Sequence, residues 1–527
     1  MKLSLSSIQN KEAWSGYRLP AYDPAAIAAN TKKSPRWLHF GPGNIFRIFP
    51  AALCQHLLEQ GEMDTGIVCV EGYDEEVISK CFKPYDNLTI GVTLNADGNL
   101  EKEIIASMPE ALTMAEDLDR VTEIFENPTL QMVSFTITEK GYSLRNADRA
   151  LFPIVEADMK NGPAAAKSFM GQLAALCLQR KAACGAPLAL VSMDNCSHNG
   201  EKLQLAILEI AESWLKNGTI TAEDYDYLKN DIACPWSMID KITPRPHPAV
   251  EQQLTEDGLE EIAPIITAKN TYTAPFVNAE KPQYLVIEDR FPNGRPPLEK
   301  VGVIITDRET VNKVEKMKVC TCLNPLHTCL AIYGCILGHT TIAAETKDAE
   351  LAAFIEKMSR EEGMPFVVDP GVIEPEQFLK EVLTARLPNP FMPDTPQRIA
   401  TDTSQKLSIR YGETIKAAMA AGKDPSKLVL IPLVQAGWLR YLIGVDDEGK
   451  PFELSPDPLL PAMQSKLSGM TLGGAIDEEQ LKPILSDASI FGVDLYECGL
   501  ADKVIGYFRE LMAAPGAVRA TLKKYVY

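Results

Sequence analysis

Trp37-Leu38-His39-Phe40-Gly41-Pro42-Gly43-Asn44-Ile45-Phe46-Arg47 joins a short apolar run, a glycine-rich turn and the start of a helical pattern. Glycines at such a turn let the backbone approach a pyrophosphate, and the helix N-terminus that follows offers positive partial charge. Gly41 and Gly43 stand at the first two glycine positions of a dinucleotide-binding turn, Asn44 opens the helix, and Phe46 occupies the place of the usual third glycine. The helix is expected over Ile45–Glu59, kinked or restarted at Pro50. A second strand, Gly66–Val70, leads into Glu71, 28 residues after Gly43. A carboxylate there can accept a hydrogen bond from a ribose 2′-OH and repel a 2′-phosphate, which favours NAD over NADP. Arg47, in the first helical turn, opposes the macrodipole and calls for a phosphate or a structural ion pair beside it.

Outward from this stretch, Leu130–Thr138 and Pro187–Met193 read as further strands separated by helical patterns. Strands alternating with helices predict a parallel, doubly wound sheet. Leu285–Glu288 and Gly302–Thr306 add strands near the middle of the chain. From Asn312 onward helical periodicity dominates, in Cys329–Leu337, Leu351–Glu361, Pro375–Leu383, Ser404–Ala421, Lys427–Gly444, Glu479–Leu485 and Asp502–Ala514. The proline-rich stretch Phe291–Pro297 separates the two patterns. The expected fold is an α/β, Rossmann-like doubly wound domain over 1–297, then a mostly α-helical domain over 298–527.

The chain has 527 residues and a net charge of −19. That balance argues against nucleic acid, which demands a basic footprint. It also repels anionic substrates at long range, so an acidic substrate needs a local Arg or Lys cluster. No uninterrupted apolar window approaches the 18 or so residues of a membrane span, and the start lacks an apolar run of signal-peptide length. The twelve cysteines are too sparse for a disulfide scaffold. Reduced thiols in a cytoplasmic protein are the expectation.

Two segments carry side chains suited to oxidising an alcohol, which needs a base near the hydroxyl and donors for the developing alkoxide. Ser192-Met193-Asp194-Asn195 follows the fourth strand, where doubly wound sheets place ligand contacts. Alone it also reads as a turn rich in Asn and Asp. The second segment, Glu315–His327, offers Lys318, Asn324 and His327. A desolvated lysine can be tuned towards neutral pH and act as a base. Glu315, three residues earlier on the same helix face, can relay its proton or simply pair with it. Cys320, Cys322 and Cys329 match no closed zinc pattern, so no metal is expected.

In combination these residues are similar to the polyol-specific long-chain dehydrogenase/reductase family, also called the mannitol dehydrogenase family. The resemblance runs over FGPGNIFR (40–47), SFTITEKGY (134–142), SMDNCSHNG (192–200), SMIDKITP (237–244), EDRFPNGRPPLEKVG (288–302), EKMKVCTCLNPLH (315–327), RLPNP (386–390) and DTSQKL (402–407). It implies an N-terminal NAD-binding domain, a helical C-terminal domain and a metal-free active site in the cleft between them. It further implies Lys318 as general base and Glu315 as proton relay. Asn195 and Asn324 resemble the pair that stabilises the alkoxide, and His327 the residue that orients the reacting oxygen. Thr138 and Glu139 fall at cofactor-binding positions, Asp240 and Arg386 in the substrate pocket. Monomer is the default state within such a family.

Two departures from the family pattern qualify these assignments. Lys318 and Asn324 enclose five residues where four are usual. On a straight helix Lys318 and His327 then lie about 900° apart, on opposite faces, whereas Lys316 shares the face of His327. Lys318 serves only if a π-bulge or a break intervenes, which Pro325 favours. Second, Asn44-Ile45-Phe46-Arg47 is similar to the hexuronate branch, whose members reduce tagaturonate or fructuronate to altronate or mannonate. Such a substrate carries a carboxylate, which Arg245 or Arg386 can clamp bidentately. The alternatives are a neutral polyol dehydrogenase acting on mannitol or arabinitol, and a non-catalytic NAD- or sugar-acid-binding regulator.

Overall fold

The computed structural model describes residues 1–95, 97–146 and 148–527. The chain divides into two compact units, 1–312 and 313–527. The expected boundary lay fifteen residues earlier, at Pro297. The difference has a local cause: Ile304–Thr306 is a strand paired parallel to Tyr284–Glu288, so the chain past the prolines still belongs to the first unit.

Unit one is built on a six-stranded sheet of β1 (Trp37–Phe40), β2 (Ile67–Glu71), β3 (Glu110–Thr113), β4 (Met132–Phe135), β5 (Leu188–Ser192) and β6 (Ile232–Ala233). All neighbouring pairs are parallel, in the order β3-β2-β1-β4-β5-β6. This is the Rossmann order, with the reversal beside β1. A parallel sheet is covered on both faces, and alternate side chains of β1 show it. Trp37 packs with Ile67, Cys69, Met132 and Ala189 in one core, while Leu38 and Phe40 pack with Val68, Val133, Phe135 and Leu190 in the other. Three small sheets complete the unit; of their strands, sequence patterning anticipated only Tyr284–Glu288 and Ile304–Thr306, and the smallest sheet pairs Ile265–Ile266 with Tyr272–Thr273. Phe276–Glu280 pairs with Thr89–Leu94, which pairs with Leu100–Ile105, and Ser237–Asp240 runs antiparallel to Tyr284–Glu288.

The expected helix after β1 forms in two pieces, α1 (Asn44–Ile48) and α2 (Pro50–Glu59). Phe49, at φ −121° and ψ −76°, breaks the run just before Pro50. Pro50 then sits at a first helical position, where its missing N–H costs nothing.

Unit two is helical around the buried segments α3 (Asn324–Ile336) and α4 (Leu430–Leu442). They approach closely because Gly437 lies against the Tyr333 ring: a Cβ there would fall 2.6 Å from it. Tyr333 Oη donates to the Leu433 carbonyl at 2.7 Å. The continuous run Arg308–Ile336 has a window apolar enough by composition to cross a membrane, but most of that window is buried. A π-helical turn forms at Met317–Cys322, as the placing of Lys318 required, and three helices expected to be regular contain π turns, at Met358–Gly363, Val382–Arg386 and Ser408–Gly412. Periodicity alone cannot see these, because one extra residue in a turn shifts an apolar stripe without erasing it.

Candidate functional site

Unit one holds a cleft of about 810 Å³ at the C-terminal ends of β1, β2 and β4. Gly41, Gly43, Asn44, Glu71 and Thr138, all expected at a cofactor, line it. Gly41 has φ +83°, and a Cβ on it would sit 2.4 Å from the Thr136 carbonyl. Only glycine fits that conformation and that approach. Gly43 caps α1, where the first intrahelical bond runs from Arg47 N to Gly43 O at 3.1 Å. The N–H groups of Asn44, Ile45 and Phe46 precede it and can serve an anionic ligand.

The absent third glycine has a packing explanation. Phe46 stacks on His39, ring centroids 3.8 Å apart and planes 9° apart. His39 Nδ1 lies 2.7 Å from Ser134 Oγ, which accepts from Trp37 Nε1, and Nε2 lies 3.0 Å from Thr136 Oγ1. Burial holds this imidazole neutral, with its pKa at about 3. The aromatic at the third position thus roofs a satisfied polar network that ties β1 to β4.

Glu71 ends β2 inside the cleft. Its Oε1 accepts from Tyr73 N at 2.7 Å and Asp74 N at 3.1 Å, which orients the carboxylate. Burial raises its pKa, against the pull of those two N–H donors. Two other expected cofactor residues do not line the cleft. Arg47 is fully buried. It donates to Ala274 O at 2.7 Å, Asn44 Oδ1 at 2.9 Å, and Thr89 and Thr273 Oγ1 at 3.2 Å. It therefore ties Asn44 to Thr89 and to Thr273 and Ala274 through neutral acceptors, where a phosphate or an ion pair was expected. Glu139 is exposed and pairs with Lys202.

Asp194 and Asn199 lie in the polar segment noted after the fourth strand, where only Asn195 was given a role. The Asp194 carboxylate lines the cleft. It accepts from Ile137 N at 3.0 Å, Thr138 N at 2.8 Å and Tyr142 Oη at 2.5 Å. It thereby holds Thr138 at φ +64°, a left-handed conformation that a β-branched residue avoids. Fully buried Asn199 donates to Ser192 O, Asp194 O and Ser237 Oγ, at 3.0 to 3.2 Å. The signal available in advance was their place directly after a strand, where a polar cluster anchors a loop. Asn195, between them, is exposed. Asp240 is buried at the end of its strand. Arg245 is exposed, its guanidinium 5.8 Å from the centroid of Tyr272, a cleft residue.

In unit two the Lys–His segment is irregular. Lys318 lies in the π turn Met317–Cys322, Leu323 breaks the run at φ −126° and ψ −60°, and Asn324 starts α3 with Pro325 next. Leu323 N closes the turn on Lys318 O at 3.1 Å, and Thr414 Oγ1 takes the Cys320 carbonyl at 3.3 Å. A π turn holds roughly one residue more than an α turn, removing about 100° from the rotation between Lys318 and His327. The straight-helix objection to Lys318 therefore falls away. Lys318 is buried and Lys316 exposed, and Glu315 is half-buried in the last α turn.

His327 Nε2 lies 3.6 Å from Asp394 Oδ2, too long for a hydrogen bond. Burial holds its pKa at about 4; Asp394 opposes that shift, while Arg410, Arg398 and Arg386 reinforce it. The ring is neutral at pH 7, with Nε2 making no hydrogen bond among the described residues. Arg386 is buried within the π turn Val382–Arg386.

Residues 35–300 match the mannitol dehydrogenase Rossmann domain and residues 310–511 the mannitol dehydrogenase C-terminal domain. The chain is 52% identical to a D-mannonate oxidoreductase of Thermotoga maritima, over all of this chain and 99% of that protein. It is 30% identical to the D-mannonate oxidoreductase of Escherichia coli K12, over 88% of this chain and 90% of that one. The solved Pseudomonas fluorescens mannitol 2-dehydrogenase, a ternary complex with NAD and D-mannitol, superposes with a TM-score of 0.72 at 26% identity, covering 99% of each chain. The chain belongs to the mannitol dehydrogenase family and is an oxidoreductase of that family.

Proposed function

We propose that the protein is an NAD-dependent, metal-independent reductase that interconverts a ketouronate and a sugar acid of the fructuronate/mannonate kind. The observation that carries this is the 52% identity, end to end, with a D-mannonate oxidoreductase. The cleft of unit one suits a dinucleotide: its glycine turn offers backbone N–H groups and its oriented Glu71 faces the space a ribose would take. When bound, NAD(H) supplies the hydride acceptor or donor. In the oxidative direction Lys318 takes the hydroxyl proton, with Glu315 as its relay. Neutral His327, Asn324 and Asn195 donate hydrogen bonds to the developing alkoxide, and in reduction Lys318 returns the proton. Asp240, Arg245 and Arg386 are proposed substrate contacts. The enzyme works in the cytoplasm, as a monomer.

The test is NADH oxidation against fructuronate, tagaturonate, fructose and xylulose. Turnover favouring a ketouronate is expected; a higher kcat/KM for fructose than for fructuronate makes the protein a neutral polyol dehydrogenase instead. Silence across the panel with NADH binding intact would favour a regulator. Lys318→Ala is expected to cost about 100-fold or more in kcat, and Lys316→Ala to leave it unchanged. Full activity in Lys318→Ala would move the base to Lys316.

A further inference from the structure

We infer that Arg410, in unit two, receives the substrate's carboxylate and sets the preference for an acid over a neutral ketose. This rests on the ketouronate reading above and names the residue that would enforce it. Arg410 lies in the π turn Ser408–Gly412, which packs against both the π turn carrying Lys318 and helix α3 carrying His327. Its Nη1 donates to Thr328 Oγ1, the residue next to His327, and its charge is felt at the His327 ring.

Charge accounting singles it out. Of the arginines acting on His327, Arg398 is engaged by Asp394. Arg410 is half-buried, yet among the described residues no carboxylate lies within ion-pair distance of it and its Nε and Nη2 make no hydrogen bond. Burial lowers its pKa to about 10, so the guanidinium is still charged at pH 7. A partly desolvated cation with no counter-ion is costly unless a ligand supplies the anion. Its planar fork matches a carboxylate, with one arm already held by Thr328 and the remaining N–H groups left to donate. A neutral ketose offers nothing to balance that charge.

The experiment measures KM and kcat of wild type, Arg410→Gln and Arg410→Lys for fructuronate, with fructose as the neutral comparison. NADH affinity by fluorescence and thermal melting report that the variants fold. Arg410→Gln is expected to raise KM for fructuronate at least tenfold while kcat at saturation falls far less and any fructose turnover is unchanged. Arg410→Lys should fall between, keeping the charge but losing the fork. An unchanged KM for fructuronate, or an equal loss for fructose, overturns the assignment. Should Arg410→Gln fail to fold, Arg410→Lys decides alone, no rise in KM being the adverse result. Wild type that reduces no ketouronate overturns the functional reading itself; wild type that does, with Arg410→Gln unaffected, overturns only the role of Arg410.

Discussion

Glu345 shows how far burial can carry a single residue from its usual behaviour. It has no exposed surface, and neither carboxylate oxygen has a hydrogen-bond partner among the described residues. Burial, aided by Asp348, pushes its pKa up to about 9. The folded state therefore holds one proton more than the unfolded state between about pH 4.5 and 9. The sign follows: Glu345 adds no pH-dependent cost below pH 4.5, where it is neutral in both states, and destabilises progressively as pH rises towards 9. Glu345→Gln removes that dependence. Its stability relative to wild type, from denaturant unfolding, is expected to grow by up to about 1.4 kcal/mol per pH unit across this window. A difference constant with pH would mean the carboxyl finds a charge-stabilising partner. The third-glycine position teaches the same lesson in packing: Phe46 satisfies the turn by stacking on His39, so a departure from a motif is compensated by a neighbour 3.8 Å away.

At the scale of elements, two local devices hold candidate site residues in place. The first is the loop after β4, pinned by Asp194 through two backbone N–H groups and Tyr142. Asp194→Ala frees Thr138 from its left-handed conformation and should weaken NADH binding about tenfold, read as a rise in KM for NADH with kcat little altered. Unchanged KM would make the loop a bystander. The second device is the π turn at Met317–Cys322. Deleting Val319 returns the turn to α-helical register and rotates Lys318 by about 100° against His327. A loss of about 100-fold or more in kcat is expected, with NADH affinity preserved because the cleft belongs to unit one. Retained kcat would show that the π geometry has no part in placing the lysine.

For the whole molecule, the net charge of −19 sets a long-range field that opposes an anionic substrate. The arginines around His327 act at short range, where salt screens partly buried charge weakly. Raising ionic strength from about 0.01 M to about 0.15 M shortens the screening length from roughly 30 Å to roughly 8 Å. With NADH saturating, kcat/KM for fructuronate should rise over that range while that for fructose stays flat. A fall for fructuronate would mean that local attraction outweighs the field.

The doubly wound sheet, the glycine turn, Glu71, the restart at Pro50 and the helical second half were all legible in the chain. Each rests on contacts local in sequence: apolar alternation, turn chemistry and the fixed φ of proline. The cofactor cleft was legible for the same reason, because its glycines and its acid sit at strand ends. Tertiary structure alone decided the rest. Whether Arg47 meets a ligand or clasps Ala274, 227 residues away, depends on a segment between two strands that no local pattern announces. Whether Lys318 or Lys316 faces inward depends on a π turn stabilised by Thr414, 94 residues from the carbonyl it binds. Asp194 reads as a turn aspartate until its two backbone donors and Tyr142 arrive from another segment. Periodicity reports which face of an element is buried; the partner across that face, and so the charge it must balance, is settled only when distant segments pack.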